Sequence, residues 1–143
     1  MMNIVTPVCM IVFNDSSEVL LIKKLGDDMW SLPGDTPKER ESYEDALMRS
    51  ISEQLRCRIS SFDYYKSSYF EENKLEHFRS IYYFGKIDGD LLLGDSVADS
   101  RWIHWKMLAK DDNRMYLDQK DTIITFFNRT PKKKSFFSFI LDR

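Results

Sequence analysis

Cysteine is scarce in this chain, with only Cys9 and Cys57 among 143 residues. Both lie in apolar or strand-like surroundings and form no CxxC pair, so neither a disulfide framework nor a structural zinc site has a basis in the sequence. A reduced, cytoplasmic setting is the expectation. An excess of charge of one sign is missing too. The net charge is −2, which leaves no global positive field to draw the chain onto nucleic acid or an anionic membrane, so an anionic ligand must be met locally. Long hydrophobic runs are absent: no stretch reaches the roughly 18–20 apolar residues of a membrane span, and no basic segment precedes the short apolar run near residue 4. No internal repeat or low-complexity segment is visible.

What is present suits one packed domain. A chain that is 43% hydrophobic and 14% aromatic can bury a core, and its length fits a single domain, expected over residues 1–130. The remainder, 131–143, combines Lys132, Lys133 and Lys134 with Phe136, Phe137, Phe139 and Ile140. Such a tail could anchor on an anionic surface. Packing on the domain or on a second subunit, which would make a homodimer, is the preferred expectation, and there is no strong case for a nucleic-acid or membrane partner.

Residues 4–13 are apolar and end at Asn14, Asp15, Ser16 and Ser17, a cluster of turn formers before a second apolar run at 19–22, so two strands joined by a tight turn are predicted. Residues 25–28 read as a loop, and Trp30-Ser31-Leu32-Pro33-Gly34 as a short extended piece that turns at Pro-Gly. Residues 58–70 and 75–87 predict a long hairpin across a polar turn at 71–74. A short strand at 102–105 and a helix at 115–128 complete the pattern, the helix ending before Thr130-Pro131. Between these lies the clearest helix, 42–56: Ser42 is a good N-cap with Asp45 three residues on, and Leu47, Ile51 and Leu55 repeat at i, i+4, i+8. Arg49 and Glu53 fall on a different face from that stripe.

The segment from Trp30 through Gly34 and Asp35 to Glu41, Arg49 and Gln54 resembles the Nudix box, which reads G-x5-E-x7-R-E-U-x-E-E-x-G-U, with U a bulky aliphatic residue. On this chain the motif glycine falls on Asp35, its first Glu on Glu41, its Arg on Arg49 and the following Glu on Ser50. Its U falls on Ile51, its paired Glu residues on Glu53 and Gln54, and its closing Gly-U on Arg56 and Cys57. Moving the register by one, so that Gly34 becomes the motif glycine, would put Arg40 and Met48 where Glu and Arg belong. The order of predicted elements resembles the family along nearly the whole chain. Asp99-Ser100-Arg101-Trp102-Ile103 looks like its late E-x-x-W-hydrophobic segment, with Asp for Glu. The resemblance implies an α/β fold, a Nudix-type α/β/α sandwich with a mixed sheet between helices. The implied reaction is divalent-metal-dependent hydrolysis of a nucleoside diphosphate linked to another moiety, with Mg²⁺ or Mn²⁺ as cofactor and a nucleotide-type small molecule as partner.

Hard cations take oxygen ligands, and carboxylates at i, i+3 and i+4 of one helix project together, so they can share a metal that neutralises phosphate oxygens and prepares a water. Here those positions are Ser50, Glu53 and Gln54. Serine and glutamine bring neutral oxygens and cannot act as a base near neutral pH. By the resemblance, Glu53 is the catalytic residue and, with the Gly34 carbonyl, a metal ligand, while Glu41 and Arg49 brace the loop against the helix. Asp35, Ser50 and Gln54 are degenerate positions. The competing reading of Glu53 is a solvated carboxylate paired with Arg49 one turn earlier. Glu39, Glu44 and Asp45 could replace lost ligands, although acids at a helix start are favoured by the dipole alone. Lys23 and Trp30 are candidate substrate contacts, with Lys24 beside Lys23. His77 and His104 could carry protons, and Tyr82 and Trp102 could stack on a base; a sheet-surface role for the histidines and a core role for the aromatics compete with these. Two function classes follow: a hydrolase weakened at two motif carboxylates, or an inactive Nudix-like domain, needing no metal, that binds a nucleotide or a protein partner.

Overall fold

The computed structural model describes residues 3–71, 73–110 and 114–129. The tail expected at 131–143 lies outside these residues. The organising strand is β7 (Glu76–Asp88). On one flank it pairs antiparallel with β6 (Arg58–Glu71), forming the predicted hairpin. Asn73 shapes its turn, its Oδ1 accepting from the N–H groups of Leu75 and Glu76, each at 2.8 Å. On the other flank, β1 (Asn3–Val5) and β2 (Val8–Val12) run parallel to β7. The sequence predicts one strand there, and the structure divides it at Pro7. Proline has no N–H to give the ladder, but its carbonyl still accepts from the Ile81 N–H at 2.9 Å, so the register continues across it. The far edge of β2 takes β5 (Gly34–Asp35) antiparallel, completing a five-stranded mixed sheet.

A second, antiparallel sheet places β3 (Glu18–Lys24) between β4 (Trp30–Ser31) and β8 (Val97–His104). The strand expected at 102–105 therefore begins earlier, and Trp105 instead opens a short helix, α2 (Trp105–Lys110). The predicted C-terminal helix is α3 (Leu117–Arg129).

The helix expected over 42–56 is α1 (Tyr43–Leu55). Ser42 Oγ accepts from the Asp45 N–H at 3.0 Å, as an N-cap should. At the other end Arg56 adopts the left-handed conformation, φ 55° and ψ 31°. The terminal carbonyls of Gln54 and Leu55 accept from the N–H groups of Gly94 (2.9 Å) and Leu92 (3.0 Å), so the helix end is satisfied by the loop before β8.

The sheets lie between two layers of helix. Along β2 and β3 alternate residues face opposite sides: Cys9, Ile11, Val19 and Leu21 join the core under α2 and α3, while Val8, Met10, Leu20 and Ile22 join the core under α1. Leu47, Ile51 and Leu55 of α1 are fully buried in the second core, each contributing about 1.5–3 kcal/mol. The expected α/β/α sandwich is thus formed, with its sheet layer divided in two. Among the described residues no helix is long and apolar enough to cross a membrane.

Candidate functional site

The site grows from the turn that hangs β5 on β2. Gly34 has φ 151°, and a Cβ there would stand 2.1 Å from the Val8 carbonyl oxygen and 2.6 Å from Cys9 Cα. Only glycine lets the two backbones meet. The Gly34 peptide groups then face Gln54, which α1 turns inward with its core stripe rather than towards solvent. The Gly34 N–H donates to Gln54 Oε1 at 3.0 Å, and Gln54 Nε2 donates to the Gly34 carbonyl at 2.8 Å. Both ends of one buried amide, only 5% exposed, are thereby engaged by one residue. Ser50, also buried, donates its hydroxyl to the Ala46 carbonyl one turn back at 2.7 Å.

Outside this clamp stands Arg49. Its guanidinium meets Glu41 through two bonds, Nε to Oε2 at 2.8 Å and Nη2 to Oε1 at 2.9 Å. Nη2 also reaches the Thr36 carbonyl at 3.3 Å, and Nη1 lies between Asp35 Oδ2 at 3.4 Å and Glu53 Oε2 at 3.5 Å. The bond from Arg49, helped by the Lys38 N–H, holds the Glu41 carboxyl down at about 2, and the bond to Glu41 in turn raises Arg49. Glu41 and Arg49, expected as a brace, are brought together by these two bonds. Asp35 joins the same arginine, a partner the sequence did not suggest. The Glu53 side chain is 57% exposed beside Arg49.

These donors do not fit the metal shell that the resemblance implies. Of the three helix positions only Glu53 presents a carboxylate. The Ser50 hydroxyl is turned back on its own helix, and a cation seated on the Gly34 carbonyl would meet the N–H hydrogens of Gln54. Among the described residues no group of three or more His, Cys, Asp and Glu is placed to hold a metal ion.

Beside the turn a cleft of about 130 Å³ opens between the two sheets, lined by Lys24, Asp27, Ser31, Gly34, Thr36 and Gln119 among others. This is below the roughly 300 Å³ of a full ligand pocket, so it can seat one group of a larger molecule. Its rim is tied: Gln119 Oε1 accepts from the Leu32 N–H at 2.8 Å, and the Tyr116 hydroxyl donates to Asp27 Oδ2 at 3.2 Å. Asp27 went unsuspected because it lies in the loop just before the motif segment and carries no spacing signal, and Tyr116 and Gln119 because they come from the start of α3, far from the motif in sequence. Lys24 lines the cleft, whereas Lys23, its neighbour on the opposite side of the strand, does not. Burial raises the Cys9 thiol at the cleft wall well above its ordinary range, which makes it an inert wall rather than a nucleophile.

The other candidates lie elsewhere. Trp30 packs on the core under α3, with the Arg101 guanidinium 5.3 Å over its ring. Tyr82 is fully buried, its hydroxyl on Asp118. His77 is buried in β7 against the Tyr69 hydroxyl. His104 Nδ1 accepts from the Lys106 N–H at 3.2 Å at the start of α2. Trp102 is partly exposed and lines a separate hollow with Phe13 and Lys86.

Comparison with known proteins agrees with the architecture. Residues 4–126 match the family model described as NUDIX domain. A Bacillus subtilis (strain 168) protein named "Putative 8-oxo-dGTP diphosphatase" is 29% identical over 97 residues, or 65% of this chain; the match spans 62% of that protein's length. Among solved structures, a MutT protein from Methanosarcina mazei Go1 superposes with a TM-score of 0.75 at 18% identity, over 92% of this chain and 98% of its own. A MutT NUDIX hydrolase from Burkholderia pseudomallei gives 0.71 at 18% identity, over 85% and 96%. At these identities the structures speak to the fold.

Proposed function

Because the chain belongs to the NUDIX domain family, we propose that it is a nucleotide-binding member whose inherited reaction, hydrolysis of a nucleoside diphosphate linked to another moiety, is slow or lost. The observation that carries this reading is the Gln54 amide closed on both peptide groups of Gly34. A carboxylate at that position could hold a cation against the Gly34 carbonyl; an amide already bonded there cannot do so without breaking its own pair. Ser50 adds no negative charge, and its hydroxyl is engaged by Ala46.

The ligand class rests on the cleft and on the relative from Bacillus subtilis, whose name specifies a nucleotide substrate. The cleft is lined by one cation, Lys24, by two carboxylates, Asp27 and Asp35, and by the hydrogen-bonding groups of Ser31, Thr36, Tyr116 and Gln119, so most of it suits a polar ring or sugar, and Lys24 is the lining group with charge to meet a phosphate. Glu53, the one acid left at the three helix positions, is the residue to which any remaining base chemistry falls. Two free, buried thiols suit the cytoplasm as the proposed setting.

Calorimetric titration with nucleoside diphosphates, nucleotide sugars and dinucleoside polyphosphates, run beside phosphate release in Mg²⁺ and Mn²⁺, tests the proposal. Binding with slow or absent turnover is the expected result. Robust hydrolysis by the wild type defeats the depleted site, and failure of every nucleotide to bind defeats the ligand class. The double variant Ser50→Glu, Gln54→Glu should bind Mg²⁺ and Mn²⁺ more tightly than the wild type; unchanged affinity would defeat the assignment of these positions to the motif.

A further inference from the structure

Two places in the site bring oxygen atoms together around a protein N–H group. One is the corner between Gly34 and α1, where the Gly34 carbonyl points at residue 54. If residue 54 were a glutamate, it could accept from the Gly34 N–H, but its second oxygen would face the carbonyl oxygen, acceptor against acceptor, and would call for a cation, a proton or a bridging water between them. Gln54 puts Nε2–H there, 2.8 Å from the carbonyl oxygen. The other place lies between Asp35 and Glu53, whose carboxylates converge on Arg49 Nη1 at 3.4 and 3.5 Å. At the buried corner a protein N–H group stands where a cation could otherwise sit, whereas Asp35 and Glu53 are about half exposed and open to solvent.

We propose that Gln54 has taken over the structural part of the cation's role: turn 33–36 is locked to α1 without metal, so the cleft beside it is ready for its ligand in the absence of divalent ions. Gln54 is on this account a positioning residue. It acts through Gly34, whose backbone forms part of the cleft wall. The inference rests on the reading above that the metal shell is not formed, but it concerns the closure of the turn and not the rate of any reaction.

Amide hydrogen exchange at Gly34, followed by NMR in the full chain, separates the possibilities. In the wild type the Gly34 N–H should be equally protected in EDTA, in Mg²⁺ and in Mn²⁺, and Mn²⁺ should not broaden its resonance. Protection that appears only with a cation overturns the proposal. In Gln54→Glu the Gly34 N–H should exchange at least roughly tenfold faster in EDTA, with the melting temperature lower by roughly 5–10 °C. Mg²⁺ should restore both, and Mn²⁺ should restore the melting temperature while broadening the Gly34 resonance; no restoration overturns the substitution of amide for cation. In Gln54→Leu the same loss should occur with no restoration, and protection unchanged by Leu overturns the clamp. Should Gln54→Glu fail to fold, the wild-type exchange and broadening decide the matter alone. A wild type that hydrolyses nucleotides rapidly yet keeps cation-independent protection at Gly34 removes the functional reading and leaves the clamp standing.

Discussion

Arg49 meets Glu41 as a planar fork on a planar carboxylate, Nε to Oε2 at 2.8 Å and Nη2 to Oε1 at 2.9 Å. The pair joins α1 to the loop that precedes it, and each side chain is only 16% exposed. Because the same guanidinium touches Asp35, Thr36 and Glu53, it fixes the loop at several points.

The fork gives a pH signature. Glu41 is held at about 2 against an ordinary 4.5. Its folded value is depressed, so its contribution is complete above the unfolded value and fades as pH falls from about 4.5 through 2. Urea midpoints of the wild type and Glu41→Gln should differ by a constant amount from pH 7 to about 5 and converge as pH approaches 2. A gap that persists at pH 2 would mean that Glu41 acts through packing.

Gly34→Ala should be among the most damaging single changes. Its Cβ would sit 2.1 Å from the Val8 carbonyl oxygen, at a φ of 151° that side chains avoid. Parting β5 from β2 also pulls Gly34 from Gln54, and a loss of about 3 kcal/mol or more is expected by denaturant unfolding.

Arg56→Gly should do the reverse. Arg56 closes α1 in the left-handed conformation, exposed and with a Cβ that disfavours it. Glycine there should stabilise the protein by about 1 kcal/mol, read as a rise in melting temperature. No gain would indicate that the arginine side chain makes compensating contacts.

Lys24→Ala and Lys23→Ala form a pair that tests which face of β3 meets the ligand. Loss of a charge-assisted bond at the cleft should weaken nucleotide binding roughly 10- to 100-fold for Lys24→Ala, with the effect shrinking at high salt. Lys23→Ala should change affinity by less than about twofold. Calorimetry on both variants distinguishes them; equal losses would place the ligand across the strand edge.

Much of this fold could be read from local pattern. Ser42 with the Leu47, Ile51, Leu55 stripe located α1 to within a residue, and the polar turn at 71–74 separated β6 from β7. The start of β8 was hidden because Ala98, Asp99, Ser100 and Arg101 carry little hydrophobic signal, and their strand conformation comes from pairing with β3. The motif register identified Gln54 and Ser50 as departures from the family's acids. That register could not say where their side chains would go. Gln54 turns inward only because β5 delivers both Gly34 peptide groups to it, and Asp35 reaches Arg49 only because the same turn carries it there. Such contacts depend on the approach of distant segments, which local spacing does not encode.

The position of β7 also has a consequence in time. Its hairpin with β6 closes over a short turn, whereas its parallel partners β1 and β2 come from about 70 residues earlier in the chain. The hairpin should therefore form early and β2 dock late, because the longer loop must close first. Since β5 is held by β2, the corner where Gln54 receives Gly34 is assembled near the end of folding. A chain arrested before β2 docks would already have its hairpin and the beginnings of α1, yet no binding cleft. The appearance of ligand affinity during refolding would then mark completion of the whole sheet.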